Sequence, residues 1–445
     1  MLCAALILAL VSALIITAAT AAPPAPQGFE GVASCAGSTC HGRMEADGAV
    51  VRQDELARWQ EASTPGGAHS RAFAVLNSRR SRQIAATLGL GDPTAAPSCL
   101  GCHSTPADGE KGRKFLTNDG VSCEGCHGGA SGWIASHYAV GASHAANVSR
   151  GMTALERPMT RAGVCLDCHL GSARTGQYVT HRMMAAGHPR ISFELDLFST
   201  MQQHHDEDAD YAQRKGRTDS VRFWAVGQAM ALNRSMTLYA SGRGTEGAFP
   251  EFTFFDCHSC HRRIFDQADR SLTFETNPGR PIPFAMPPFN DENMILLAAA
   301  AKVAAPGMVA RLDADVKAFH QSMGAGREAS AAAARKLAAT AQALAGVLAG
   351  VNGNGDMAFA MIDAIAAPAI TGRFTDYQGS VQAVMGIDTL LSALVKSGRI
   401  SEGAAAGIRA DINRAYAAVN EPNSFRPAQF RAALGSAVRA IRALR

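Results

Sequence analysis

The chain has 445 residues, with 42 basic and 38 acidic side chains and a formal charge of +4. This length predicts two or three domains. Aromatic residues are not interleaved with the basic ones, so the positive charge does not indicate a nucleic-acid partner.

The N-terminus has the pattern of an export signal. Residues 1–20 are nearly all apolar, and Ala19, Thr20 and Ala21 form a small-residue cleavage site. This pattern predicts a signal peptide over residues 1–21 and a mature chain that is periplasmic, or otherwise exported, in a bacterium. No lysine or arginine precedes the apolar run, so retention of the segment as a single membrane anchor is the alternative. No other stretch reaches the ~18 apolar residues that a membrane span requires.

The first 261 residues contain five copies of a motif in which two cysteines are followed directly by a histidine. Four copies have the spacing C-x-x-C-H, and the first copy has four residues between its cysteines. Ten of the eleven cysteines are used in this way, and only Cys3 is left over. The copies are Cys35, Cys40 and His41; Cys99, Cys102 and His103; Cys123, Cys126 and His127; Cys165, Cys168 and His169; and Cys257, Cys260 and His261.

This motif is typical of c-type haem attachment. The two thiols add across the two vinyl groups of a haem, and the adjacent imidazole becomes the proximal ligand of the iron. C-x-x-C pairs also occur in zinc sites, but a zinc site does not require a histidine after each second cysteine. The sequence therefore predicts five covalently bound c-type haems, with the ten cysteines as attachment points and the five motif histidines as iron ligands.

Two short helices are predicted between the first two motifs, over residues 54–64 and 79–90, with Leu56, Trp59 and Ile84 as packing residues. His69 lies between them. It is either a surface loop histidine or a distal ligand, and we favour the ligand because each of the five irons needs a second partner.

Two further histidines follow the fourth motif, His181 and His188. On one helix they would share a face about two turns, or roughly 10 Å, apart, which is too far for one iron but suits two. Pro189 predicts that such a helix ends at His188. The alternative for each is a solvated or core histidine.

The remaining histidines after this point are expected to play other roles. His204 and His205 lie in an acidic stretch that we interpret as a solvated polar segment rather than a metal site. His258 is expected to form a local hydrogen bond rather than to ligate a neighbouring iron. His320, next to Phe319 on a predicted helix, is expected to be structural.

A helix is predicted over residues 219–240, and a proline-rich segment over residues 278–289 predicts a semi-rigid connector. Beyond it the chain is rich in alanine, lacks cysteine and shows apolar residues at helical spacing. We therefore expect a mainly α protein: an irregular, loop-rich pentahaem cytochrome c domain over residues 22–277, then a bundle of five or six helices over residues 290–445.

Three segments carry a family resemblance: residues 120–128, the first motif followed by Gly42, and residues 186–195. Over about residues 30–265 the chain resembles the multihaem cytochrome c family that includes the tetrahaem electron acceptor of hydroxylamine oxidoreductase. The resemblance implies stacked haem pairs, mostly bis-histidine iron and periplasmic electron transfer. The fifth motif and the helical bundle depart from the four-haem pattern. By position, the resemblance carries the distal-ligand role to His69, His137, His144, His181 and His188.

Two functions remain open from the sequence. An electron carrier is favoured, because nine histidines outside the proximal set can give every iron a second imidazole. The alternative is an oxidoreductase in which one open iron acts on a small nitrogen or sulfur compound. Redox proteins are the expected partners, a membrane quinol-linked or b-type cytochrome complex being one candidate, and the helical bundle is a candidate for docking onto such a complex or for forming a homo-oligomer.

Overall fold

The structure of the protein is a computed structural model that describes residues 27–45, 52–242, 249–261, 280–283, 286–371 and 376–445. The predicted signal peptide and four residues of the predicted connector, 278–279 and 284–285, lie outside these ranges. Within the described residues the fold is helical and loop-rich, with two isolated β-bridges and no strand. The prediction of a mainly α protein is confirmed.

Residues 52–261 form mostly short helices joined by loops. They are α1 Glu55–Gln60, α2 Arg79–Leu88, α3 Pro97–His103, α4 Cys123–His127, α5 His144–Ser149, α6 Pro158–His169, α7 His181–Ala185, α8 Leu195–Met201, α9 Ala209–Lys215, α10 Ser220–Tyr239 and α11 Cys257–Cys260.

Residues 290–445 form longer helices. The sequence predicted five or six, and the described part of this region has seven: α12 Glu292–Ala304, α13 Val309–Ser322, α14 Arg327–Ala349, α15 Gly355–Ile370, α16 Tyr377–Lys396, α17 Glu402–Ala418 and α18 Pro427–Arg442.

The prediction that one helix carries both His181 and His188 is wrong. Helix α7 ends at Ala185, and Gly187 takes a φ of +115°, a left-handed conformation that glycine tolerates and other residues rarely adopt. His188 therefore lies after a turn rather than on the face that His181 occupies. The two histidines are free to point towards different parts of the molecule.

Helix α10 joins the two halves of the protein. The side chain of Asp219 caps its first turn by accepting a hydrogen bond from the backbone N–H of Arg222 at 3.0 Å. The helix is buried on nearly all sides, and Trp224 and Met236 are fully inaccessible to solvent. It packs against α14, α12 and α16 in one hydrophobic core. The C-terminal bundle thus has as its central member a helix from the haem-motif half of the chain.

None of the helices in the described ranges is both long enough and apolar enough to cross a membrane.

Candidate haem-binding sites

The backbone of each motif follows from its spacing. Cysteines three residues apart lie on one face of a helix, and the second to fifth motifs lie on α3, α4, α6 and α11. Five-residue separation does not suit a helix face. The first motif is instead a turn, in which the N–H of Cys40 donates to the carbonyl of Gly37 at 2.8 Å and that of His41 to the carbonyl of Cys35 at 3.2 Å.

The histidine rings form five pairs, each joining one motif histidine to one histidine outside the motifs. The ring centroids of the partners lie 6.1–6.4 Å apart in every pair. The pairs are His41 with His137, His103 with His188, His127 with His204, His169 with His69, and His261 with His181.

This separation fits one iron between each pair of rings. Two imidazoles that shared one metal, with metal–nitrogen bonds of about 2 Å and each coordinating nitrogen about 1 Å from its ring centre, would have centroids about 6 Å apart. The centroids of rings in direct van der Waals stacking would lie closer together. Rings whose centroids lay much further apart could not both bond to one metal. Within the described residues, no group of three or more His, Cys, Asp or Glu side chains is arranged so that it could hold a metal ion by itself.

The Nδ1 atoms of five paired histidines are held by nearby acceptors at 2.6–3.0 Å. Four of these acceptors are backbone carbonyls, which can only accept, so Nδ1 carries the proton and Nε2 keeps its lone pair for a metal. The contacts are His41 with the Glu55 carboxylate, and His103, His137, His188 and His204 with the carbonyls of Ala72, Ile134, Pro189 and Gln202.

Burial keeps several of these rings neutral, which is the form that binds a metal. Loss of solvent lowers the pKa of His69, His127 and His188, and lowers that of His169 to about 4. His41 differs, because its hydrogen bond to Glu55 raises its pKa despite burial. A carboxylate on Nδ1 also increases the basicity of a ligating imidazole.

Cysteines of different motifs lie next to each other. The thiols of Cys35 in the first motif and Cys123 in the third interact, which lowers the pKa of Cys35 and raises that of Cys123. The sulfur of Cys102 in the second motif lies 4.0 Å from the carbonyl oxygen of Cys168 in the fourth, and the sulfur of Cys168 lies 3.8 Å from the carbonyl oxygen of Gly101. Helix α4 of the third motif packs against α6 of the fourth, and burial there raises the pKa of Cys126 to about 11 and that of Cys165 to about 12. The four motifs up to residue 169 therefore form one cluster.

A buried carboxylate ties the first and third motifs together. Glu124, inside the third motif, is 3% exposed. Its two oxygens accept hydrogen bonds from the backbone N–H groups of Glu30, Gly31 and Ala130, each at 2.8 Å. Because all three donors belong to the backbone, the side chain fixes the chain that enters the first motif.

Replacing Glu124 with glutamine is expected to lower the free energy of unfolding by about 2 kcal/mol, because the amide NH₂ cannot accept from a buried N–H. Chemical denaturation of the haem-loaded protein, followed by helical circular dichroism, measures the change. The exposed Glu110→Gln is the matched control. Equal losses in the two variants would contradict this account of Glu124.

The structure brings four of the five predicted distal histidines, His69, His137, His181 and His188, opposite motif histidines. His144 is placed elsewhere. It begins helix α5, and its Nε2 lies 3.0 Å from the carboxylate of Glu156. An imidazole whose Nε2 faces a carboxylate is not directed at a metal, so the site geometry departs here from the sequence expectation.

The histidine opposite His127 is His204, which the sequence did not predict as a ligand. The stretch around it was interpreted as solvated, yet its ring lies opposite His127. The neighbouring His205 stacks on Tyr211 with 5.9 Å between the centroids, and burial lowers its pKa to about 3. No local pattern separates these two residues, and a count of one outside histidine per motif was the only available signal.

Two histidines hold structural positions, as the sequence predicted for His320, whereas His258 bonds to a residue far along the chain instead of to the local partner that was expected. The Nδ1 of His258 donates to the carbonyl of Pro422 at 2.7 Å. The Nδ1 of His320 donates to the carbonyl of Val316 at 3.0 Å, and the side chain is fully buried. Neither ring is among the five pairs.

Comparison with known proteins gives a family match over the first part of the chain. Residues 34–128 match the family of cytochrome c554 and c-prime. The matched segment contains the first three motifs and the exposed loop that carries Leu116. Comparisons with curated proteins and with solved structures gave no match. Over these residues the match agrees with the attachment motifs, and it supports a c-type cytochrome that binds haem covalently and transfers electrons.

Proposed function

We propose that this protein is an exported, periplasmic pentahaem cytochrome c that relays electrons through five bis-histidine centres. The observation that carries the proposal is that each of the five motif histidines faces one histidine from outside the motifs at the separation that one metal requires. Haem bound at these sites supplies one-electron transfer, with a potential tuned by ligands, burial and nearby charge. The side chains hold each centre in a fixed coordination.

Saturated coordination favours a relay over the alternative of a small-molecule oxidoreductase. Two protein ligands on an iron leave no position for a substrate, so only outer-sphere transfer remains. Such an enzyme could use basic residues near the histidines to attract an anion, but two of these residues have other neighbours. Arg190 contacts Glu292 at 3.5 Å, and Lys215 lies 5.2 Å from the ring centre of Tyr211. These contacts account for both residues without a bound anion.

The cysteine contacts support an order for the relay. Sites whose attachment motifs are in contact are neighbouring sites. Glu124 of the third motif bonds to the chain that enters the first, and Cys102 and Cys168 each approach the other's motif, which supports the first site beside the third and the second beside the fourth. Helix α4 of the third motif packs against α6 of the fourth, which supports the third site beside the fourth. The proposed order of these four sites is therefore first, third, fourth, second.

Partner proteins are part of the proposal, because a relay needs a donor and an acceptor. A membrane quinol-linked or b-type cytochrome complex is one candidate, and a second copy of the chain is another. Exposed aromatic side chains adjoin two of the ring pairs: Tyr138 contacts the ring of His137, and Phe252 contacts that of His181. These two places are where a partner would approach a centre most closely.

The test is spectroscopic. The purified protein is expected to carry five haems per chain, to show only low-spin ferric signals by electron paramagnetic resonance, and to show no spectral shift when carbon monoxide is added to its reduced form. A high-spin fraction near one-fifth with a carbon monoxide shift would instead indicate an open iron and favour the enzyme. Fewer than five haems would contradict the proposed count.

A further inference from the structure

The fifth motif is built into the C-terminal bundle rather than into the cluster of the other four. Gln378 lies on the first turn of α16 and is 1% exposed. Both polar atoms of its side-chain amide form hydrogen bonds to Cys257. Its Nε2 donates to the sulfur of Cys257 at 2.8 Å, and its Oε1 accepts from the backbone N–H of Cys257 at 3.2 Å. A bundle side chain thus holds the first cysteine of the motif at two atoms.

Two neighbours of Cys257 strengthen this attachment. The carboxylate of Asp256 accepts from the backbone N–H of Gln378 at 3.3 Å and from that of Ser259 at 3.2 Å. The ring of His258 lies edge-on to Phe425, 5.2 Å between centroids, while its Nδ1 bonds to Pro422. Helix α11 is only one turn long, so these contacts decide its position.

Arg190 connects this motif to the second site. Its Nη1 donates to the sulfur of Cys257 at 3.2 Å, and its Nη2 lies 3.5 Å from Glu292 at the start of α12. Arg190 follows His188 by two residues, and the ring of His188 faces His103 of the second motif. Two positions along the chain therefore separate a histidine of the second site from a side chain that contacts a cysteine of the fifth.

We propose that the C-terminal bundle is the platform of the fifth redox centre, with Gln378 and Arg190 as its positioning residues. Arg190 makes the second centre its neighbour. This inference rests on the proposed relay and extends its order to first, third, fourth, second, fifth. The bundle thereby has a role in the relay itself, and the relay ends on the bundle.

The exposure of the cysteines agrees with this order. Among the ten motif cysteines, Cys40 and Cys260 are exposed and the other eight are half-buried. These two belong to the first and fifth motifs, which are the two ends of the proposed order. A relay needs its terminal centres near the surface and its internal centres enclosed.

The first experiment replaces Gln378 with leucine, which has a similar volume but no hydrogen-bonding group. Haem content per chain and a spectroelectrochemical titration of the five centres are measured on the full-length, haem-loaded protein. We expect one component of the titration to shift to lower potential, or one haem in five to be lost, while the other four components stay unchanged. Loss of N–H donation to the sulfur and a looser α11 both act on that one centre.

The matched control is Gln228→Leu. Gln228 is also buried, and it hydrogen-bonds to Asn293 at 2.9 Å and to Gln382 at 3.5 Å, neither of which is a motif residue. The control is expected to lower stability by a similar amount and to leave all five potentials in place. A shift of one centre in the control as large as that in Gln378→Leu would mean that general loosening of the bundle is responsible, and would overturn the role of Gln378.

The second experiment replaces Arg190 with glutamine and, separately, with lysine. A cation favours the reduced form of a nearby centre, so Arg190→Gln is expected to lower the potentials of two components, those of the second and fifth sites. The expected change is about tenfold in each one-electron equilibrium constant, or about 59 mV. Arg190→Lys keeps the charge and is expected to restore most of this shift.

The outcomes separate the two proposals. A wild-type chain with fewer than five haems, or with an open iron, contradicts the proposed function. If the wild-type chain has five low-spin haems and neither Gln378→Leu nor Arg190→Gln changes any potential, only the inference about the bundle is overturned.

Discussion

Replacing His204 with alanine is expected to convert one of the five low-spin centres into a high-spin centre that binds carbon monoxide. The ring of His204 faces that of His127 with 6.1 Å between centroids, and its Nδ1 is fixed by the carbonyl of Gln202 at 2.8 Å. Removal of this imidazole leaves the third site with a single protein ligand. The expected high-spin fraction is one-fifth of the total iron, measured by electron paramagnetic resonance and by the optical shift with carbon monoxide.

A neighbouring histidine makes a second variant necessary. The ring of His205 lies 4.7 Å from that of His204, close enough to take its place after a local rearrangement. The double variant His204→Ala with His205→Ala removes this route, whereas His205→Ala alone is expected to leave every centre low-spin.

The control for this prediction is His144→Ala. Sequence position favoured His144 as a distal ligand, but its Nε2 faces Glu156. We expect this variant to keep five low-spin centres. If His144→Ala opened a centre and the double variant at His204 and His205 did not, the assignment drawn from the ring pairs would be wrong.

Replacing Arg280 with methionine is expected to lower the free energy of unfolding by about 3–5 kcal/mol. The guanidinium lies between the carboxylates of Asp291 and Asp376, and all three residues are less than 9% exposed. Asp291 directly precedes α12 and Asp376 directly precedes α16, and neither caps its helix through its side chain. Without the cation, two buried carboxylates are left without a counter-charge.

Chemical denaturation followed by helical circular dichroism measures this loss. Lys317→Ala is the control, because Lys317 pairs with Asp313 at 2.7 Å on the exposed face of α13 and is expected to contribute less than about 1 kcal/mol. Adding Asp291→Asn and Asp376→Asn to Arg280→Met is expected to recover part of the loss. Comparable losses in Arg280→Met and Lys317→Ala would contradict the role of the buried cation.

The helices show which features of the fold the sequence predicts and which it does not. The helix predicted over residues 219–240 is observed as Ser220–Tyr239, because its capping aspartate and its apolar residues are local signals. Its apolar residues surround the whole helix, which indicates burial but not the partner. That the partner is the C-terminal bundle depends on packing across more than a hundred residues, and no local pattern encodes it.

The site residues divide in the same way. Attachment of a c-type haem uses two thiols, with the proximal imidazole next to the second thiol, so the ten cysteines and five motif histidines predicted for this role form a local sequence pattern. A second histidine ligand would not have to be near the motif along the chain. The ring of His69 faces the histidine of the fourth motif and that of His204 faces the histidine of the third, and each comes from a distant segment.

The amino-acid sequence by itself determined the mainly helical fold and indicated the cofactor class, and it predicts the attachment residues, because attachment chemistry and helix formation act over short stretches of chain. Only the tertiary structure decided which histidine faces which motif, which motifs are neighbours, and that Gln378 of the bundle holds Cys257 of the fifth motif. These relations join residues far apart along the chain. They exist only after the helices pack.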